Sequence, residues 1–428
     1  MFEKLTIENW RQFSKLDIDF HPRLTVLTGA NGSGKTTVLN VLSQCVGWEP
    51  QFVSSFDVNE DGVRRYSTNV NVKEKNYDND AMMQRIIPKG NRVFGSLTTK
   101  PNSKLVKLLA SEDELQEGTY CIYFSSIFPT NKGVFIQSHR PTFPYRKLET
   151  IPTSVATRTE IFNKYIDFSK KFAQDEHRAT QSIGAKPISS TLLIKQDLAS
   201  LAIFGYGSGA VASIPYAKTL FEGYCEMLKK VLPRTLGFKK ITVAMPEVII
   251  ETETGNFPLD GVSGGISSII DITWQLYMFA EPDEPFIALI DEPENHLHPE
   301  LQKSFLGNLL KAFPHVQFIV ATHNPFVISS QKDSHVYVLD YKDNKVHSIL
   351  LDHINRAGNS SAILRDVLGL DTTIPLWAED ILSEAIEKFQ SSPLTAESMN
   401  QLSEELEREG LQDYVPDAIA GMIEGEQR

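Results

Sequence analysis

The chain has 428 residues, of which 41% are hydrophobic and 22% charged, so a wholly disordered or fibrous protein is excluded. Its 42 basic and 54 acidic side chains give a net charge of −12, which argues against coating nucleic acid or an anionic membrane by bulk charge. Three cysteines without a CxxC pair, and no apolar run of about 18–20 residues, predict a cytoplasmic protein without a membrane segment.

The first elements are predicted to be strands at residues 5–7, 16–20 and 24–27, because apolar positions alternate or form a short buried run. A glycine-rich turn and a helix with apolar residues at helical spacing follow. Residues 50–120 are polar and weakly periodic, which indicates hairpins and loops. The chain therefore begins as an α/β protein with a strand–loop–helix unit.

That loop carries a phosphate-binding motif. Residues 29–36 read GANGSGKT and match GxxxxGK[ST] in full. Backbone N–H groups of such a loop surround a phosphate, Lys35 is predicted to contact the β- and γ-phosphates, and Thr36 to offer its hydroxyl to Mg²⁺. The candidate nucleotide-binding residues here are Gly29, Ala30, Asn31, Gly32, Ser33, Gly34, Lys35, Thr36 and Thr37. ATP and Mg²⁺ are the expected cofactors.

The middle of the chain is predicted to be helical at 155–204 and 216–232, with a mobile glycine-rich loop at 205–209 between them. A hairpin is predicted from 241–253 to 257–259. Regular α/β pattern follows, with predicted helices at 267–279 and 299–313 and strands at 286–290, 317–321 and 335–340. From about residue 360 a mostly helical tail is predicted, and residues 376–428 carry thirteen acidic and three basic side chains.

Polar residues follow two of the predicted buried strands at the edge where open α/β sheets bind ligands. Asp291 and Glu292 follow the strand at 286–290, and His323 follows the next one. We expect Asp291 to hold Mg²⁺ and Glu292 to act as general base on the attacking water. His323 is placed to reach a γ-phosphate or that water.

A second anion site is predicted at Ser263, Gly264 and Gly265, which precede a helix. The motif at 29–36 already serves its own nucleotide, so this second site needs a phosphate from another subunit. It therefore predicts a homodimer with ATP between the two chains.

In this order the motifs resemble those of ABC-type ATPases of the SMC/RecF/OLD group. The resemblance implies a contact of Arg11 with the nucleotide, because residues 7–13 read IENWRQF, and a contact of Gln137 with Mg²⁺ or water at the end of a strand. It also implies an α/β fold: an ABC-type P-loop NTPase head with an antiparallel β subdomain, a helical insertion and a helical acidic C-terminal tail. The expected domains are 1–150 and 241–350 as the two ATPase lobes, 151–240 as the helical insertion and 351–428 as the tail.

The chain is most similar to the standalone ATPases of bacterial anti-phage systems of the Septu or PARIS type, which implies a separately encoded nuclease as partner. A transporter subunit is disfavoured by the 226 residues between Thr36 and Ser263, and a long SMC arm by the lack of heptads. Two alternatives stay open. One is a RecF-like DNA-repair ATPase that clamps DNA through the basic stretch at 218–240, and the other is a nucleotide-gated scaffold with little hydrolysis.

Overall fold

Two units, Met1–Ile363 and Leu364–Arg428, divide the chain in its computed structural model. The residues that the structure describes are 1–58, 64–68, 70, 91–101, 103–111, 118–125, 132–140, 145–174, 189–351, 363, 376–390 and 396–415. Parts of the predicted hairpin and loop region at 50–120, and of the predicted helical regions at 155–204 and beyond 360, lie outside these ranges.

The strands of the first unit are β1 (Phe2–Trp10), β2 (Phe13–Asp19), β3 (Leu24–Thr28), β4 (Phe52–Val53), β5 (Ser55–Val58), β6 (Arg64–Ser67), β7 (Asn91–Thr99), β8 (Lys104–Ser111), β9 (Thr119–Tyr120), β10 (Ile122–Phe124), β11 (Gly133–Ile136), β12 (Phe238–Ala244), β13 (Glu247–Thr252), β14 (Asn256–Pro258), β15 (Phe286–Asp291), β16 (Val316–Ala321), β17 (His335–Lys342) and β18 (Lys345–Leu350). Its helices are α1 (Lys35–Ser43), α2 (Arg158–Gln174), α3 (Ser190–Tyr206), α4 (Pro215–Val231), α5 (Gly264–Phe279), α6 (Pro299–Ala312) and α7 (Pro325–Ile328).

One mixed sheet organises the first unit. Its strand order, among the described residues, is β10-β8-β7-β1-β2-β18-β17-β3-β16-β15-β11. The half that contains β17, β3, β16, β15 and β11 is parallel, and β10, β8, β7, β1 and β2 pair in antiparallel fashion. The helices and the large mixed sheet confirm the predicted α/β class.

The central strands are buried along their whole length. Every residue of β3, β15 and β16 is buried, as expected for parallel strands covered on both faces. In β1 buried and accessible residues alternate instead, so that one face packs on the core. Trp10 at the end of β1 stacks on Phe94 with 4.4 Å between ring centroids, and its Nε1 donates to the hydroxyl of Tyr120 at 3.1 Å. These contacts fix the end of β1 against β7 and β9.

Three local predictions were wrong in detail. The segment 241–253 is two strands rather than one, because Pro246 has no N–H group for a ladder and the chain turns between β12 and β13. Gly205 belongs to helix α3, where a Cβ would lie 2.7 Å from the backbone nitrogen of Lys218, so it permits close packing of α3 on α4. The strand β18 was missed, and it joins β17 to β2 across the sheet.

The second unit contains helices α8 (Leu376–Gln390) and α9 (Ala396–Arg408), which pack through small and aliphatic residues. Its buried core consists of Ala378, Leu382, Ala385, Leu402, Leu406 and Leu411. Lys388 on α8 donates to the Glu405 carboxylate of α9 at 2.6 Å and 2.8 Å. Among the described helices of both units, none is long and apolar enough to cross a membrane.

A buried lysine joins the helical region to the strands that precede the Ser263 motif. The Nζ atom of Lys195 in α3 donates to Asp260 Oδ2 at 2.9 Å, to Glu247 Oε2 at 2.7 Å and to the carbonyl of Arg146 at 2.6 Å. The Lys195 and Asp260 side chains are fully buried, and the Arg146 N–H donates to the same carboxylate oxygen at 2.8 Å. Since buried charges need partners, this cluster holds three segments in one arrangement.

Replacing Lys195 with Met should lower the free energy of unfolding by about 3–5 kcal/mol, because two carboxylates would lose their buried cation. Urea denaturation followed by circular dichroism measures the change. The control is Lys229→Met, which breaks an exposed pair with Glu226 and should leave the midpoint unchanged. An equal, small shift in both variants would contradict a stabilising role of the Lys195 cluster.

Candidate functional site

The glycine-rich segment 29–34 turns sharply between β3 and α1. Gly29, Gly32 and Gly34 have φ values of 138°, 81° and 96°, which side chains disfavour. A Cβ on Gly34 would lie 2.4 Å from the ring of Phe13, and one on Gly29 would lie 2.3 Å from the carbonyl of Leu339. Glycine is therefore required by conformation and by space, and the loop amides stay open to an anion at the start of α1.

The first two residues of α1 carry the polar groups of this loop. Lys35 Nζ donates to the carbonyls of Gly29 and Ala30 at 2.9 Å and 3.0 Å, and burial lowers the pKa of this ammonium against the opposing effect of nearby carboxylates. Thr36 Oγ1 donates to Asp291 Oδ2 at 2.9 Å. Thr37 is half-buried in the same turn. The strand β15 and the loop thus meet at one hydroxyl–carboxylate contact.

Asp291 ends β15 and is 4% exposed. Burial raises the pKa of Asp291 to about 6, and the hydrogen bond from Thr36 acts in the opposite direction. A hydroxyl and a carboxylate are both oxygen donors, the type that Mg²⁺ prefers. This pair therefore fits a Mg²⁺ ion, as the sequence predicts.

Glu292 and His323 lie side by side just past two neighbouring strands. His323 Nδ1 is 3.3 Å from Glu292 Oε1, and Asn295 Nδ2 donates to Glu292 Oε2 at 2.9 Å. Side-chain exposure is 28% for Glu292 and 53% for His323, so water can reach both groups. Glu292 has φ 47°, a left-handed conformation that few non-glycine residues adopt. The structure brings these two predicted catalytic residues together.

A third carboxylate joins the two strand ends below the surface. Glu294 is 4% exposed and accepts a hydrogen bond from the hydroxyl of Thr322, which in turn accepts from the Asn324 N–H at 2.9 Å. Burial raises the pKa of Glu294 to about 7. This link fixes the residue before His323 to the loop that carries Glu292.

The Ser263 motif lies at the N-terminus of α5, as predicted. Ser263 and Gly264 are exposed, whereas Gly265 is buried against the loop after β15. A Cβ on Gly265 would lie 2.8 Å from the carbonyl of His296. Among the hydrogen bonds of the described residues, none joins the three residues of the motif to the glycine-rich loop of the same chain.

The two remaining predicted site residues occupy different surroundings. Gln137 directly follows β11, which runs parallel to β15 with Ile136 opposite Ile290, so Gln137 and Asp291 lie at the same sheet edge. Arg11 lies in the turn between β1 and β2, and its guanidinium carbon is 5.8 Å from the ring centroid of Trp10. The structure therefore places Gln137 at the sheet edge that carries Asp291, whereas Arg11 lies in a turn beside Trp10.

Sequence reasoning missed two residues of the site. Arg140 donates to main-chain oxygens of Asp291 and Glu292, and the Tyr341 hydroxyl donates to the carbonyl of Gly32 at 3.0 Å. The sequence indicated Arg140 only through its position after β11, the strand adjacent to β15. For Tyr341 the only indication was its position on the strand that neighbours β3.

Two family descriptions match the chain: "AAA domain" at residues 4–197, and at residues 228–329 an AAA domain whose description names the AbiEii toxin and a type IV TA system. The chain is 22% identical to the "Retron Vc95 probable ATPase" of Vibrio cholerae over 90% of this chain and 82% of that protein. It is 27% identical to the Septu protein PtuA of Bacillus thuringiensis over 38% of this chain, but covers only 44% of PtuA. A solved SMC head domain from Thermotoga maritima is 15% identical, with a TM-score of 0.40 over 82% of this chain and 99% of that one.

Proposed function

We propose that this chain binds ATP with Mg²⁺, hydrolyses it between two copies of itself, and regulates a separately encoded nuclease. The proposal is supported by the two AAA-domain matches and by the similarity of the chain to the retron probable ATPase and to the Septu protein PtuA. The observation that carries the hydrolytic proposal is the Glu292–His323 pair, 3.3 Å apart at the strand ends beside the glycine-rich loop.

Nucleotide binding would use the loop and the first turn of α1. The amides of the loop and the Lys35 ammonium would bind the β- and γ-phosphates. Without a nucleotide, the Lys35 ammonium donates to the carbonyls of Gly29 and Ala30. Thr36 and Asp291 would hold Mg²⁺, which when bound offsets the negative charge of the phosphates.

Hydrolysis would use Glu292 as the general base. Its Oε1 would accept a proton from the attacking water, and the neighbouring His323 would hold the water or the γ-phosphate in line. Asn295 binds the other carboxylate oxygen, so the side chain has a fixed orientation. Gln137 is at the correct edge to contact the same water or Mg²⁺.

Dimerisation is supported by the exposed start of α5. Ser263 is the N-cap residue of that helix and makes no cap hydrogen bond with its side chain. The free N-terminal amides and the hydroxyl form an anion site on the surface. We infer that the γ-phosphate of a nucleotide on a second copy of the chain occupies it.

A separately encoded nuclease is the proposed partner. It is supported by the relation to Septu and retron proteins. In the basic stretch, Lys218, Lys229 and Lys240 each face a glutamate within 4.0 Å, which reduces the positive charge available for direct DNA binding.

Co-expression of the tagged chain with its neighbouring genes should co-purify a nuclease. Full protection from phage by this chain alone would contradict such a partner.

Glu292→Gln should retain ATP binding and slow hydrolysis by about 10²–10⁴-fold, because the amide cannot accept a proton from water. Calorimetry with ATP and steady-state phosphate release measure the two effects. Glu300→Gln makes the same chemical change at an exposed position on α6 and should leave turnover unchanged. Near-normal turnover of Glu292→Gln would place the base elsewhere, with His323 as the first candidate.

Ser263→Glu should block the ATP-dependent dimer without weakening ATP binding to the glycine-rich loop, because the new carboxylate repels the facing phosphate. Light scattering with ATP measures the dimer. Mixing this variant with Glu292→Gln should restore partial hydrolysis, since one site of each heterodimer combines an intact Glu292 with an intact Ser263. No recovery on mixing, or full activity of Ser263→Glu as a monomer, would contradict a shared site.

A further inference from the structure

Arg140 makes four hydrogen bonds to the surroundings of the proposed active site. Its Nε donates to the hydroxyl of Ser268 at 3.0 Å. Nη1 donates to the carbonyls of Gln137 at 3.0 Å and of Asp291 at 3.3 Å, and Nη2 donates to the carbonyl of Glu292 at 3.0 Å. One planar cation thus contacts the ends of β11 and β15 and the second turn of α5.

The bond to Glu292 matters because that residue has a disfavoured backbone. With φ 47°, Glu292 stays left-handed only if its surroundings hold it there. Its N–H donates to the carbonyl of Ala321 on β16 at 2.9 Å, while its carbonyl accepts from Arg140 and from the Asn295 N–H at 3.2 Å. Both polar groups of this peptide segment are therefore fixed by the neighbouring structure.

The electrostatic surroundings keep the arginine in place. Burial lowers the pKa of Arg140, and the nearby carboxylates of Asp271, Glu294 and Asp291 act in the opposite direction. A guanidinium stays charged in proteins, so its bonds to the carbonyl groups are charge-assisted. The cation also offsets part of the negative charge that three carboxylates place behind the nucleotide-binding edge.

We propose that Arg140 is the positioning residue for Glu292 and that it joins this position, through Ser268, to the helix that carries the Ser263 motif. Arg140 contacts neither the glycine-rich loop nor the Glu292 carboxylate among the described hydrogen bonds, so its effect on hydrolysis acts through the backbone. The inference rests on the proposed role of Glu292 as general base. When the start of α5 engages a second subunit, Arg140 is the contact that transmits its position to Glu292.

Arg140→Lys tests the proposal, because an ammonium keeps the charge but cannot span four oxygens in a plane. We expect kcat for ATP hydrolysis to fall about 10–100-fold, the range for displaced catalytic groups, while ATP affinity stays at the wild-type value. Phosphate release by the full chain gives kcat, and calorimetry gives the affinity.

Arg23→Lys is the matched control. Arg23 also donates to three main-chain carbonyls, those of Leu310, Phe313 and Val316, but at the opposite end of β16. This variant should lose comparable backbone contacts and keep wild-type kcat. An equal loss of kcat in both variants would overturn the positioning role, because it would mean that general destabilisation is responsible.

Combining Arg140→Lys with Glu292→Gln distinguishes a positioning role of Arg140 from a general structural role. If Arg140 acts by placing the Glu292 side chain, Arg140→Lys should not lower the residual hydrolysis of Glu292→Gln any further. Additive losses would overturn the inference. Normal hydrolysis by Glu292→Gln alone would instead refute the proposed role of Glu292 as general base, and a blocked Glu292→Gln with fully active Arg140→Lys would refute only the inference.

Ser268→Ala provides a milder test that does not depend on how well the Arg140 variant folds. It deletes one of the four bonds and should lower kcat roughly two- to tenfold, the range expected for one hydrogen bond, with unchanged ATP affinity. Wild-type kcat in Ser268→Ala would overturn the proposed link to α5.

Discussion

The register of three parallel strands is the constraint on which the candidate site depends. Leu27 on β3 pairs with Ala321 on β16, and Ala321 pairs with Asp291 on β15. The glycine-rich loop, His323 and the two acidic residues therefore leave the sheet at one edge and at one level. Because side chains alternate between the two faces of a strand, a shift by one residue would turn each side chain into the opposite packed layer and move these groups out of line, so the site requires this register.

Charge at this edge is only partly compensated within the protein. Two buried carboxylates, Asp291 and Glu294, have raised pKa values because burial disfavours their charged forms, whereas the pKa of Lys35 is lowered for the same reason. Internal hydrogen bonds, such as that from Thr36, offset part of this cost. A nucleotide with a divalent cation would bring both the negative and the positive charge that these groups lack as partners.

Two cations, the buried Lys195 and the half-buried Arg140, connect the site to the rest of the first unit. Lys195 ties α3 to the segment that precedes the Ser263 motif, and Arg140 ties α5 to the peptide of Glu292. Each cation has several oxygen partners, since an unpaired buried charge would be strongly destabilising. Lys195 thus fixes the segment before α5, and Arg140 contacts its second turn. A displacement of this helix would therefore be transmitted to the strand ends. One residue makes each of these links, so a single substitution can test it.

The sequence by itself determined the parts of this protein that depend on neighbouring residues. The loop at 29–36, the acidic residues after β15 and His323 after β16 each follow a buried strand, and a strand's end can be read from a short apolar run. It could not determine Arg140, three of whose four hydrogen-bond partners are 128 to 152 residues away, or the Lys195 cluster. Nor could it determine that β18 pairs with β2. Such contacts leave no periodic pattern, because they arise only when separate segments fold against one another and their polar groups must find partners away from water.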